Sequence, residues 1–238
     1  MRTFRPDLKI PSPYVETLPS LERLRQALEP SITVLPAGAS FFRAVTHPAA
    51  VIPPYVQRTY RFGPPDETRG SWHSESYPFF WLYAAADMET ALWEAQFCRN
   101  DMTQPGTFYI PDTFAADGLI AEFTLQQDVP VLMLGGTEVS RLGISERING
   151  EHAWCQWFGV RLDEMLASWA QPGQPLGFIY PSRRHKNHNA LAINSDALNE
   201  WRRSVGIRVT PFTALPIYEA LRAAQNYAAP LAGGFSIE

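Results

Sequence analysis

The sequence predicts an α+β fold. Short strands and short helices follow one another irregularly, and 21 prolines keep the elements short. The regular strand–helix alternation of a doubly wound parallel sheet is absent. At 238 residues the chain suits one large domain with a sizeable core.

Residues 1–18 read as a proline-punctuated arm, followed by a helix from about Leu21 to Leu28 with Ser20 as its cap. Ser31 to Leu35 and Ser40 to Val45 read as strands around a turn at Gly38, and 46–76 as loop-rich. The aromatic run Phe79 to Tyr83 predicts a buried strand, then a helix capped at Asp87 and running to about Cys98. Strands are expected at 108–111, 119–125 and 129–134, and helices at 138–145 and 151–169. Leu176 to Tyr180 and Ala190 to Ile193 are strands enclosing a polar loop, and 196–203 and 215–224 are helices.

Apolar residues make up 45% and charged residues 18%, with a net charge of −4, which fits a soluble globular protein. The one concentrated basic run, Arg183 to Lys186, is too small for a duplex-binding surface, so no direct nucleic-acid partner is expected. Neither a signal core nor a membrane span is legible, and Cys98 and Cys155 offer no disulfide framework. These observations predict a cytoplasmic protein.

No phosphate-binding glycine loop and no G-x-S-x-G elbow is present. His185 and His188 have no cysteine or carboxylate beside them in sequence, so no metal is expected.

Three segments can carry chemistry. In Tyr83-Ala-Ala-Ala-Asp87-Met-Glu-Thr-Ala-Leu-Trp-Glu94, the carboxylate of Glu94 projects from a helix that is apolar on nearly every side. Such a group is either a structural ion pair or a working acid. In Gly177-Phe-Ile-Tyr180-Pro-Ser182-Arg183-Arg184-His185, a proline ends a strand and leaves Ser182 before a donor-rich loop, which suits a phosphate or ribose or serves only as a turn. Arg43, in Phe41-Phe42-Arg43-Ala44, is set among apolar residues and needs an anion from the protein or a ligand.

In this order, with Phe62-Gly63-Pro64 between the first two, these segments resemble the RES domain over about residues 35–210. The eleven-residue step from Tyr83 to Glu94 is the most specific feature. The resemblance implies an ADP-ribosyltransferase-like core and cleavage of NAD at the nicotinamide–ribose bond, with water or inorganic phosphate as acceptor. It also implies a toxin held in check by an Xre-like antitoxin. Residues 1–30 would be an arm and helix, and 31–238 a single catalytic domain.

In that setting Glu94 stabilises the ribosyl cation, Tyr83 packs on nicotinamide, Arg43 holds the pyrophosphate and Ser182 bonds the nicotinamide amide or the ribose. NAD is then substrate, and no metal is required. The Gly-Arg-Trp-like triplet of the family is replaced by Arg69-Gly70-Ser71-Trp72, so the second arginine is Arg69 through a shifted loop, or Arg61. Two rival readings use the same fold: a mono-ADP-ribosyltransferase acting on a macromolecule, and a non-catalytic interaction protein. Leu92, two positions before Glu94, leans against the transferase, because acceptor activation there often uses an acid.

Overall fold

The computed structural model describes residues 8–70, 76–169 and 173–230. The chain runs through α1 (Ser12–Val15), α2 (Leu21–Leu28), β1 (Ile32–Leu35), β2 (Ser40–Val45), β3 (Trp81–Ala85) and α3 (Met88–Glu94). It continues with β4 (Arg99–Asn100), β5 (Phe108–Tyr109), α4 (Asp112–Asp117), β6 (Leu119–Leu125) and β7 (Val129–Met133). Then follow α5 (Gly136–Arg141), α6 (Ser145–Gly150), α7 (His152–Ala167), β8 (Gly177–Pro181), β9 (Asn189–Asn194), α8 (Leu198–Ser204), β10 (Val205–Pro211) and α9 (Pro216–Arg222).

Eight strands form one mixed, curled sheet in the order β1-β7-β8-β9-β3-β2-β6-β10, parallel only between β7 and β8. The fold is α+β, as expected for an ADP-ribosyltransferase-like core. Strand alternation decides what each face carries. Phe41 and Val45 of β2, Leu82 and Ala84 of β3, Phe123 of β6, Val131 of β7 and Leu191 of β9 share one core cluster with Trp201 of α8. Both halves of the sheet therefore pack their inner faces together.

The outer face is covered in two pieces. Trp81, Phe178, Tyr180 and Ala192 pack under α2 and α5–α7, with α7 supplying Trp154, Phe158 and Leu162. Ala44 and Ile120 pack under α3 and α9 with Phe97 and Phe212. The seam between these two helical layers runs along β3.

At that seam the sheet is partly split. β2 pairs with β6 over six residues but with β3 only at Phe42 opposite Ala85. The N-terminal arm is not free of the core: Leu8, Ile10 and Tyr14 pack on the α7 cluster, and Tyr14 lies 6.2 Å from Trp157.

Several elements differ from the sequence expectation. α3 ends at Glu94 rather than Cys98, because Gln96 enters the left-handed region (φ 62°) and Phe97 and Cys98 turn their N–H groups back to Leu92 O. The strands at 32–35 and 40–45 do not pair with each other but with β7 and β6. β10 was not expected; it is an edge strand that pairs with β6 along its whole length and leaves Ile207 and Val209 exposed. A helix at 138–145 resolves into α5 and α6, separated at Gly143, whose φ is 70°.

Candidate active site

Glu94 is the last residue of α3, and Ser182 follows the last residue of β8. Separated by 88 positions, they meet at the seam: Ser182 Oγ donates to Glu94 Oε1 at 2.5 Å. Ser182 is buried and Glu94 half-buried. The same Ser182 Oγ accepts the backbone N–H of His185 at 2.9 Å. The hydroxyl proton is thereby aimed at the carboxylate. Among the described residues Glu94 has no ion-pair partner.

Two tyrosines flank this carboxylate. The Tyr83 and Tyr180 rings stand edge to face with centroids 6.3 Å apart, and Tyr60 closes on Tyr83 at 5.9 Å. Tyr83 Oη accepts the backbone N–H of Phe62 at 3.2 Å. Burial pushes both the Tyr83 and Tyr180 phenols up, and the Glu94 charge pushes each further, so both stay neutral. Phe62 is held in turn by α7. A Cβ at Gly159 would run into the Phe62 carbonyl, so only glycine allows this approach.

Arg61 lies over the rings of Phe62 and Tyr180, at 4.9 and 5.9 Å from their centroids. It lines a cavity of about 260 Å³ with Ser140, Ser145, Asn149 and Pro181. Arg61 Nη2 donates to Ile148 O, while Arg61 Nε is buried without a hydrogen-bond partner among the described residues. Burial, and then the neighbouring Arg183 charge, pull the Arg61 pKa down. Arg183 Nη1 donates to Asn149 O, on the wall of the same cavity.

Arg43 is placed otherwise. It has the parity of Phe41 and Val45, which face the inner core, whereas Tyr83 has the parity of Trp81 on the outer face. Its Nε donates to Ala50 O at 3.2 Å and its Nη1 to Tyr83 O at 2.7 Å. Where β2 and β3 have parted, the guanidinium supplies the donor that a ladder would have given. Burial lowers its pKa to about 10, so it remains charged at neutral pH. Arg69 is exposed and follows the turn at Asp66–Thr68, beside Asp66 and Tyr77. Ser71 and Trp72 lie outside the described residues.

The expectation that His185 and His188 lack carboxylate companions does not survive folding. Asp87, the cap of α3, lies 2.9 Å from His188 Nδ1, and Glu89 lies 3.9 Å from His185 Nε2. The two imidazoles stack at 3.9 Å. Asp87, His185 and His188 each offer one ligand atom within 4.8 Å of the others, but hydrogen bonds already account for those contacts. Thr90, Tyr180 and Arg183 were not singled out from sequence. Parity along β8 puts Tyr180 with Phe178, and only the fold brings Thr90 to the loop. Both cysteines are buried and free, and burial pushes the Cys98 thiol up to about 12, which rules against a thiolate nucleophile there. No helix among the described residues is long and apolar enough to cross a membrane.

No curated protein matches the chain. A family model for the RES domain matches residues 41–213, a span that contains Arg43, Arg61, Tyr83, Glu94 and Ser182. On that match, which covers most of the sequence and nearly the whole curled sheet, the chain belongs to the RES-domain family.

Proposed function

We propose that this protein is an NAD-cleaving enzyme that breaks the nicotinamide–ribose bond and passes the ribosyl group to water or inorganic phosphate. The observation that carries the reading is the Glu94 carboxylate, oriented by Ser182, without a cation, between two neutral tyrosines and near an arginine-lined cavity. Family membership supports it.

In the reaction the C–N bond breaks, its electron pair neutralises the nicotinamide ring, and an oxocarbenium-like ribosyl cation is left. A carboxylate beside that carbon lowers the barrier by charge stabilisation. Glu94 supplies the charge. Tyr83 and Tyr180 give apolar ring faces for nicotinamide and keep water away from the cation until capture. Arg61, with Arg183, binds the pyrophosphate, while Arg43 braces the split between β2 and β3 from the other face of the sheet. An oxygen of water or phosphate then bonds the ribosyl carbon, and water loses its proton to solvent or Glu94. No metal is called for, because the leaving group carries its own positive charge.

Leu92 of α3 is fully buried, so the position that often carries an acceptor-activating acid holds none here. A dedicated Xre-like antitoxin would accompany a toxin of this activity, and a cytoplasmic site of action fits an NAD substrate.

NAD consumption by wild type and Glu94→Gln, with and without phosphate, tests the reading. We expect the amide to lower turnover by about 10²–10³-fold in a folded protein, since the group acts on developing charge. Retention of full turnover in Glu94→Gln sinks the assignment. ADP-ribose or its 1″-phosphate as product names the acceptor.

A further inference from the structure

The loop between β8 and β9 touches α3 at both ends of that helix. At the C-terminal end Ser182 bonds Glu94. At the N-terminal end Thr90 Oγ1 lies 2.7 Å from His185 Nδ1, and His188 Nδ1 lies 2.9 Å from Asp87 Oδ2. A seven-residue helix and one loop are thus tied at three points.

The proton bookkeeping fixes the direction of each bond. Thr90 Oγ1 donates to Asp87 Oδ2 at 2.7 Å, and its backbone N–H donates to Asp87 Oδ1 at 2.8 Å. A hydroxyl has one proton, so Thr90 can only accept from His185, whose Nδ1 must carry the hydrogen. Thr90 is fully buried, and no water competes for that bond. With its ring anchored this way, His185 points its backbone N–H at Ser182 Oγ. That leaves the Ser182 proton one acceptor, Glu94 Oε1. Asn187, at φ 67°, turns the chain so that His188 stacks back on His185 and closes the loop.

We infer that Thr90 and His185 are positioning residues, which latch the 182–188 loop onto α3 and so fix the Ser182 hydroxyl against the Glu94 carboxylate. This rests on the proposed role of Glu94, though the latch itself is independent of any substrate. Neither residue touches the reacting atoms. Their effect is on how Glu94 is presented, and therefore on turnover rather than on NAD affinity.

The experiment uses the full chain with Thr90→Val, which keeps the shape and removes the acceptor, Thr90→Ser, which restores it, and His185→Ala. Two readouts are taken: kcat and KM for NAD, and amide hydrogen exchange across 182–188. We expect Thr90→Val and His185→Ala to lower kcat about tenfold with KM within about twofold of wild type, and Thr90→Ser to recover kcat. Exchange in the loop should quicken about tenfold in Thr90→Val and His185→Ala while α7 stays protected. Unchanged kcat and exchange in folded Thr90→Val overturn the latch. So does a kcat loss that Thr90→Ser fails to recover, because that marks a packing defect. If the wild type cleaves no NAD, the proposed activity fails and exchange alone decides. Faster loop exchange then upholds the latch, and unchanged exchange removes it.

Discussion

Ser182 and Glu94 share one short hydrogen bond, and the serine hydroxyl is itself held by the His185 backbone N–H. A neutral donor to a half-buried carboxylate stabilises the charge without cancelling it, as a salt bridge would. Ser182→Ala removes that donor and should lower kcat for NAD cleavage by about 10–100-fold, matching the 1.5–3 kcal/mol typical of hydrogen bonds to charged groups. Glu94 would still be present, so activity should fall less than in Glu94→Gln. Steady-state kinetics on both variants give the order, and equal losses would mean that Ser182 is part of the chemistry rather than support for it.

Arg43 answers a different need from the one its sequence setting suggests. It is an arginine among apolar residues, and pairing with an acid or a ligand are the obvious solutions. The fold solves it with two main-chain carbonyls at the place where β2 leaves β3. Arg43→Met keeps the apolar stem and strands Ala50 O and Tyr83 O. A fully buried acceptor left unsatisfied costs roughly 1–3 kcal/mol and these two are part-buried, so we expect a stability loss of about 2–4 kcal/mol. Urea denaturation measures it. A loss under 1 kcal/mol, with NAD binding abolished, would return Arg43 to direct ligand contact.

Much of the site was legible because its parts are local. The Asp87 cap, the strand before it and the helix carrying Glu94 lie within one fourteen-residue segment, and the proline after Tyr180 marks where Ser182 must stand. What could not be read depends on distant pieces of chain. The carboxylate companions of His185 and His188, Glu89 and Asp87, come from about a hundred positions earlier, and sequence spacing cannot show them. Which sheet face Arg43 occupies could not be read from Phe41-Phe42-Arg43-Ala44, because it required the register with β3. β10 escaped notice because only Val205 of its apolar residues is buried while Ile207 and Val209 are exposed on an edge, so burial imposed no clear pattern.

The two candidates for the second arginine make opposite predictions. Arg61 has a buried Nε without a partner among the described residues and faces the cavity beside Tyr180, whereas Arg69 is exposed beside Asp66 and Tyr77. Arg61→Ala should weaken NAD binding at least about tenfold, the scale of one lost charge-assisted contact. Arg69→Ala should weaken it less. Isothermal titration with NAD on Glu94→Gln backgrounds separates binding from turnover. The reverse order would place the pyrophosphate beside Arg69.

Asp87, the cap of α3, predicts a pH dependence of stability. Burial by itself raises its pKa, but the Thr90 backbone and hydroxyl and the His188 ring outweigh that and hold the carboxyl below its ordinary 3.8. A depressed carboxyl contributes stability that is fully present above its unfolded value and disappears as pH falls through the folded one. Asp87→Asn still caps α3 but carries no charge, so it lacks this contribution at every pH. Melting temperatures of the two proteins should therefore differ above the ordinary carboxyl value of 3.8, and the gap should close as pH falls below it. Wild type should show the steeper fall, and loop exchange at 182–188 should quicken with it, because Asp87 anchors both Thr90 and His188. A constant gap between the two melting curves across that range would show that the Asp87 charge does not support the fold.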